Sequence, residues 1–199
     1  MKNNIKIPLI ILLSIVGLVV VIGLIGFGYL YTAKEQEISA HDRELIINPV
    51  QLETYFSDYK AIPADIKYSK VKYIDGEIEL RMDYDNEDDA QPYMSVVITK
   101  SLKAPDTLST YYIAWTTHVA LYNAYDSNYE VIEDNEFFSL GERSRFALIN
   151  YSGEPVGNRF VFMQDKMVYE FTLTDFYIDD PQIWQELFAD KLVQLKDFQ

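Results

Sequence analysis

The run Pro8 to Tyr31, PLIILLSIVGLVVVIGLIGFGYLY, constrains this chain more than any other stretch, because no charged residue lies between Lys6 and Lys34. Written as a helix at ~1.5 Å per residue, its 24 residues reach roughly 36 Å, beyond the ~30 Å hydrocarbon core of a bilayer. Sixteen of them are Leu, Ile, Val or Phe, each favouring insertion by about 0.3 to 0.6 kcal/mol, which outweighs the four glycines. Signal peptides have an apolar region of about 7 to 15 residues, and a cut after Ala33 would set bulky Tyr31 three residues before it. The pattern predicts an uncleaved signal anchor: a single-pass helix at 8–31 in the cell membrane. Lys2 and Lys6 against Lys34 place the N-terminus inside, with 1–7 as a cytoplasmic leader and the C-terminal domain periplasmic or extracellular.

After the run, 32–60 reads as a stalk and short helix, and 61–199 as one domain with room for a sizeable core. Residues 1–33 carry only Lys2 and Lys6, so the remainder carries −16, which is the total of −14 less their +2. A surface this acidic repels nucleic acid and anionic headgroups. With no cysteine, the chain forms no disulfide, thiolate metal site or cysteine nucleophile.

Lys34 to Ile47 is polar and free of Gly and Pro, which predicts a helical or semi-ordered stalk, and Asn48-Pro49 opens a short helix to about Tyr59. Asp75-Gly76 predicts a hairpin between strands 66–74 and 77–84, because Asp-Gly accepts positive φ at both turn positions. In the second of these strands Ile78, Leu80, Met82 and Tyr84 alternate with Glu77, Glu79, Arg81 and Asp83, so one face is buried. A third strand at 93–102 carries Val97 among its alternate residues and reads as central. The main helix at 106–125 sets Leu108, Tyr111, Tyr112, Trp115, Val119 and Tyr122 on one packing face. Strands follow at 129–133, 143–151, 158–164 and 167–174, the last three as an antiparallel meander. Asp180-Pro181 opens a closing helix with Trp184, Leu187, Phe188, Leu192 and Leu195 on one stripe.

The predicted fold class is therefore α+β: a transmembrane helix, then an antiparallel sheet flanked by helices in an α/β/α sandwich-like arrangement. The features Asp106-Thr107-Leu108-Ser109-Thr110-Tyr111, Val131-Ile132-Glu133 before Leu140-Gly141, Phe146 to Tyr151, Met167 to Thr174 and the helix from Trp184 to Phe198 carry a resemblance. Over about 66–198 the chain resembles the PsbP-like fold family, although Ala61 to Asp65 stands where that family has a proline-glycine-tryptophan entry. The resemblance implies a sheet flanked by helices, usually without catalysis, that binds or stabilises a larger membrane assembly.

The residues offer little chemistry beside this. Asp83, Asp85, Glu87, Asp88 and Asp89 form an acidic loop (83–89) that could converge on Ca²⁺, but it lacks the bending glycine and the terminal bidentate Glu of a calcium loop. His41 and His118 stand in no zinc motif, no Gly-x-Ser-x-Gly is present, and four of the eight glycines lie in the apolar run. His118 reads as a surface or core-edge histidine. No catalytic, cofactor-binding or metal-ligating residue is assigned. Tyrosines 111, 112, 122, 125 and 129 cluster on or just after the main helix, and Phe137-Phe138 reads as a strand end or an exposed docking edge; aromatic residues favour interfaces, but ordinary core and rim is the commoner place for both clusters. In the apolar run, Gly23 and Gly26 lie nearly opposite Ser14, Gly17 and Gly28, two small-residue patches suited to different neighbours. The expectation is a noncatalytic, membrane-anchored accessory or assembly subunit that meets other membrane subunits through Gly23, Gly26 and the Tyr-rich helix. The alternatives are a ligand- or cation-binding sensor domain and a hydrolase.

Overall fold

Two runs of antiparallel strands, each made of chain neighbours, join edge to edge into one sheet. In the computed structural model, which describes residues 33–56, 60–84, 94–196 and 198, the first run is β1 (Lys34–Glu35), β2 (Ile66–Lys72), β3 (Ile78–Tyr84) and β4 (Met94–Lys100). The second is β5 (Tyr129–Glu133), β6 (Arg143–Tyr151), β7 (Glu154–Gln164) and β8 (Met167–Thr174). The order β1-β2-β3-β4-β8-β7-β6-β5 makes β4 and β8 the central pair, in register from Met94 opposite Leu173 to Lys100 opposite Met167. Ladders between neighbours need only short turns, and the single long crossover, from β4 to the far edge at β5, is made by helix α3 (Ala104–Tyr125). Among the described residues there are four shorter α-helices, α1 (Ala40–Leu45), α2 (Pro49–Leu52), α4 (Pro181–Phe188) and α5 (Lys191–Leu195), and a 3-10 turn at Pro63–Asp65.

This corrects the α/β/α sandwich-like α+β expectation. The protein is mostly β, a single eight-stranded antiparallel sheet with few helices. Three expected helical stretches shrink. The segment 34–47 gives β1 and the six-residue α1, the helix expected to reach Tyr59 ends at Leu52, and the closing helix breaks at Ala189-Asp190 into α4 and α5. The physical reason is tertiary. Residues 34–35 find the open edge of β2, with Lys34 opposite Lys72 and Glu35 opposite Val71, and pairing overrides a weak helical propensity.

The apolar run at 8–31, with Gly23 and Gly26, lies outside the described residues. Among the described residues no helix is long and apolar enough to cross a membrane. The single-pass signal anchor, the cell-membrane placement and the periplasmic or extracellular domain are corrected accordingly and are not carried forward.

Nor does the stretch read as a stalk stand clear of the domain. Ser39 and Asp42 form a capping box on α1, and Asp42 reaches Lys70 of β2 at 2.8 Å with both side chains largely buried. Burial raises the Asp42 carboxyl, but Lys70 and the Ser39 amide and hydroxyl outweigh it and hold it below the usual carboxylate range. Leu45, Ile46, Ile47 and Leu52 are fully buried in the main core. The Tyr169 hydroxyl pins this strap to the sheet, accepting from the Ile47 amide at 3.1 Å and donating to the Leu45 carbonyl at 3.3 Å.

The main core fills the face of the sheet that carries α1, α2, α4 and α5. Alternation places Leu80, Met82, Val96, Ile98, Phe160, Phe162, Tyr169 and Phe171 on it, around Trp184 and Phe188 of α4. A buried Asn158 ties the loop before α4 to β7, its Oδ1 accepting from the Ile178 amide at 2.6 Å while its Nδ2 donates to the Ile178 carbonyl at 3.3 Å. Turns set the registers. Gly76 alone takes positive φ (86°) in the Asp75-Gly76 loop, where Tyr73 N–H bonds Glu77 at 2.8 Å, so the loop is longer than the two residues expected. Ser152 (φ 52°) and Gly153 (φ 88°) instead make a two-residue turn, and β7 starts at Glu154 because Pro155 sits beside a bulge, between Ile149 and Asn150, that needs no proline donor.

Candidate functional site

The opposite face of the sheet is polar, and α3 lies across its β5, β7 and β8 half. A smaller apolar cluster of Tyr111, Ala114, Trp115, Ala147, Val161, Met163 and Val168 seats the helix. Beside it lies a charged network that the sequence did not disclose. Arg159 of β7 is 1% exposed. Its Nη2 donates to the Ala114 carbonyl of α3 at 2.7 Å and to Glu170 Oε2 at 2.9 Å, and its Nη1 donates to Thr172 Oγ1. A planar guanidinium suits this bridging between helix backbone and strand side chains. Burial pushes the Glu170 carboxyl above its ordinary value, and Arg159 pulls it back without offsetting the whole effect.

His118, one turn along α3 from Ala114, is half-buried over the same network. Burial, Arg159 and Arg81 together hold its imidazole down at about 4, so it is neutral at pH 7. The expected surface or core-edge histidine is thus one that folding keeps uncharged. The sign of its linkage follows: between about 6.5 and about 4 the unfolded chain binds a proton that the folded chain refuses, so stability falls as pH drops through that window and levels off below it. The loss amounts to at most about 3 kcal/mol. The raised carboxyl of Glu170 acts in the opposite sense, with the folded state keeping a proton longer as pH rises. Comparison with His118→Gln isolates the histidine, and the variant is expected to lose much less stability than the parent between pH 7 and pH 4.5 in urea unfolding. Parallel losses would refute the assignment.

The outward side of α3 is mixed: Asp106, Ser109, Thr116 and Thr117 are exposed there beside apolar Ile113, Ala120 and Leu121. Ile113 is 59% exposed and Leu121 58%, with Thr117 and Ala120 between them on the same stripe. Tyr112, expected on the packing face, is exposed at the flank, where Arg145 lies 5.8 Å over its ring. Tyr129 and Tyr151, with ring centroids 4.9 Å apart, extend this aromatic margin across β5 and β6. Of the Tyr-rich set, then, Tyr111 is core, Tyr112 faces outward and Tyr129 is half-buried, with the side chains of Tyr122 and Tyr125 outside the described ones, while Tyr151, Ile113 and Leu121 were missed. Their spacing of eight with Thr117 midway was the available signal, a second apolar stripe on a helix that already had one.

The other sequence candidates come apart. Phe138 is buried against Phe160 and Phe188, and Phe137 stacks on Phe146 at 4.7 Å, so this pair is core rather than a docking edge. Asp83 accepts a 2.7 Å bond from Ser95 Oγ, and residues 85–89 of the acidic loop lie outside the described residues. Among the described residues no group of three His, Asp or Glu side chains is placed to hold a metal ion. Comparison with known proteins returns no matching protein family, no matching curated protein and no matching solved structure.

Proposed function

We propose that this chain is a noncatalytic binding subunit whose sheet domain docks onto a larger protein assembly through the outward face of α3. The observation that carries the reading is the exposed Ile113–Leu121 stripe on a helix whose other side is already committed to the sheet. Two large aliphatic side chains one above the other on an exposed helix side gain stability when covered, and burial of the exposed part of each contributes on the order of 1 kcal/mol. Tyr112 and Tyr151 at its margins supply the amphipathic contact area that interfaces favour. The chain's formal charge of −14 selects a partner with a basic rim and slows association with acidic ones.

The test is gentle affinity purification of the full chain from its own cells, beside the double variant Ile113→Glu, Leu121→Glu. Both positions face solvent, so the variant is expected to keep its thermal unfolding temperature while its co-purifying partner is lost. A parent chain that purifies alone, or a partner retained equally by the variant, would defeat the reading.

A further inference from the structure

On the other side of the molecule, a cleft of about 550 Å³ opens between α1–α2 and β2, within the volume range of small-molecule sites. Its polar wall is Arg43, Asn48 and Gln51, its apolar wall is Val50, Pro63 and Ile66, and Thr54 and Tyr68 complete the lining. A second cleft of about 440 Å³ shares the same three polar residues but adds three carboxylates, Glu44, Glu186 and Asp190, against one further cation, Lys191.

The polar wall of the first cleft is a donor surface for a specific reason. Asn48 Oδ1 accepts from the Gln51 amide at 3.3 Å, and Gln51 Oε1 accepts from the Asn48 amide at 2.9 Å. Reciprocal capping consumes both carbonyl oxygens and fixes which end of each side-chain amide is which, leaving two NH₂ groups that bond nothing among the described residues. Beside them the Arg43 guanidinium lies 5.2 Å over the Tyr68 ring and has no carboxylate partner among the described residues. Stacking on an aromatic ring holds a guanidinium in place and leaves its in-plane donors open. Among the described residues Arg43 is the one charged side chain that lines this cleft.

We infer that the cleft binds a small organic monoanion, a carboxylate on an apolar body, with the carboxylate on Arg43, Asn48 and Gln51 and the body against Val50, Pro63 and Ile66. Three donor groups that carry no acceptor of their own facing the cleft, with the Thr54 and Tyr68 hydroxyls able to donate beside them, favour an anionic oxygen group, and the planar fork of an arginine matches a carboxylate bidentately. One cation in a chain of net charge −14, with three carboxylates in the adjoining cleft, disfavours a multiply charged ligand. The apolar wall rewards a hydrophobic body over a bare inorganic ion. This site is independent of the α3 face.

Fluorine NMR of 4-fluorophenylacetate with the purified full chain tests it, with neutral 4-fluorophenylacetamide as the matched control. The anion is expected to broaden with a Kd on the order of 1 mM or tighter, and the amide to bind about tenfold more weakly or not at all. Arg43→Gln, at an exposed position, and Val50→Glu, which sets a carboxylate on the apolar wall, are each expected to weaken the anion by about tenfold or more with unchanged unfolding temperature. Equal binding of anion and amide, undiminished binding by both variants, or no broadening of the anion at several times that concentration would overturn the assignment.

Discussion

Replacement of Trp184 by alanine is expected to cost about 3 to 5 kcal/mol of unfolding free energy, much of what holds a domain of this size folded. The indole is fully buried on α4. Phe146 and Phe171 meet it edge-on, each at a centroid distance of 5.2 Å and at 86° and 82°, and Phe188 stacks on it at 13°. Edge-to-face geometry is the favourable one for aromatic quadrupoles, so these contacts add to simple area burial. Their partners come from β6, β8 and α4 itself, which leaves no single element free to collapse into the space. The polar part of the loss is small by comparison. Trp184 Nε1 donates to the Ile178 carbonyl at 3.3 Å, but that carbonyl also accepts from Asn158 Nδ2, so removal of the indole does not orphan it. Trp184→Phe, which keeps a ring in the site, is accordingly expected to cost less than half as much as Trp184→Ala. Urea unfolding of the three proteins checks this, and a loss below about 1 kcal/mol for the alanine variant would show that the cluster relaxes around the gap.

Why Trp184 was legible and Arg159 was not comes down to what periodicity encodes. The stripe of Trp184, Leu187, Phe188 and Leu195 marks a buried face whether or not the helix is continuous, and all four are buried although the backbone breaks at Ala189-Asp190, where neither Gly nor Pro announces it. In β3 the alternation likewise separates Leu80 and Met82 from Glu79 and Arg81, yet it cannot say whether the polar side meets water or a helix. Here that side is half-buried, and Arg81 contributes to holding His118 neutral. The strap at 45–47 failed for a different reason: its burial depends on a hydrogen bond to Tyr169, more than a hundred residues away, and no local pattern carries such a contact. The stripe on α3 was present in the sequence but masked by a stronger one on the same helix. For Arg159 a signal did exist. The two-residue turn at Asp165-Lys166 fixes the β7–β8 register, which sets Thr172 opposite Arg159 and Glu170 on the diagonal. Arg159 and Glu170, the charged residues in the middle of these two strands, were therefore neighbours by arithmetic.

That neighbourhood sets the second large effect. Arg159→Met is expected to destabilise the domain by about 3 to 5 kcal/mol, because it leaves the Glu170 carboxyl buried without its cation and strips a donor from the Ala114 carbonyl beneath α3. Glu170→Gln keeps an acceptor for the guanidinium but leaves the Arg159 cation buried without its counter-charge, so it too is expected to destabilise. The informative protein is the double variant Arg159→Met, Glu170→Leu. A buried ion pair repays little beyond its own desolvation, so exchange of both partners for apolar side chains of similar size removes the penalty together with the attraction. If the charge left behind is the main cost of Arg159→Met, the double variant recovers most of the lost stability in a double-mutant cycle read by urea unfolding. Should it remain as unstable as Arg159→Met alone, the cost lies instead in the contact between β7 and the backbone of α3 at Ala114. The guanidinium would then be a strut that seats the helix, with the carboxylate incidental to it.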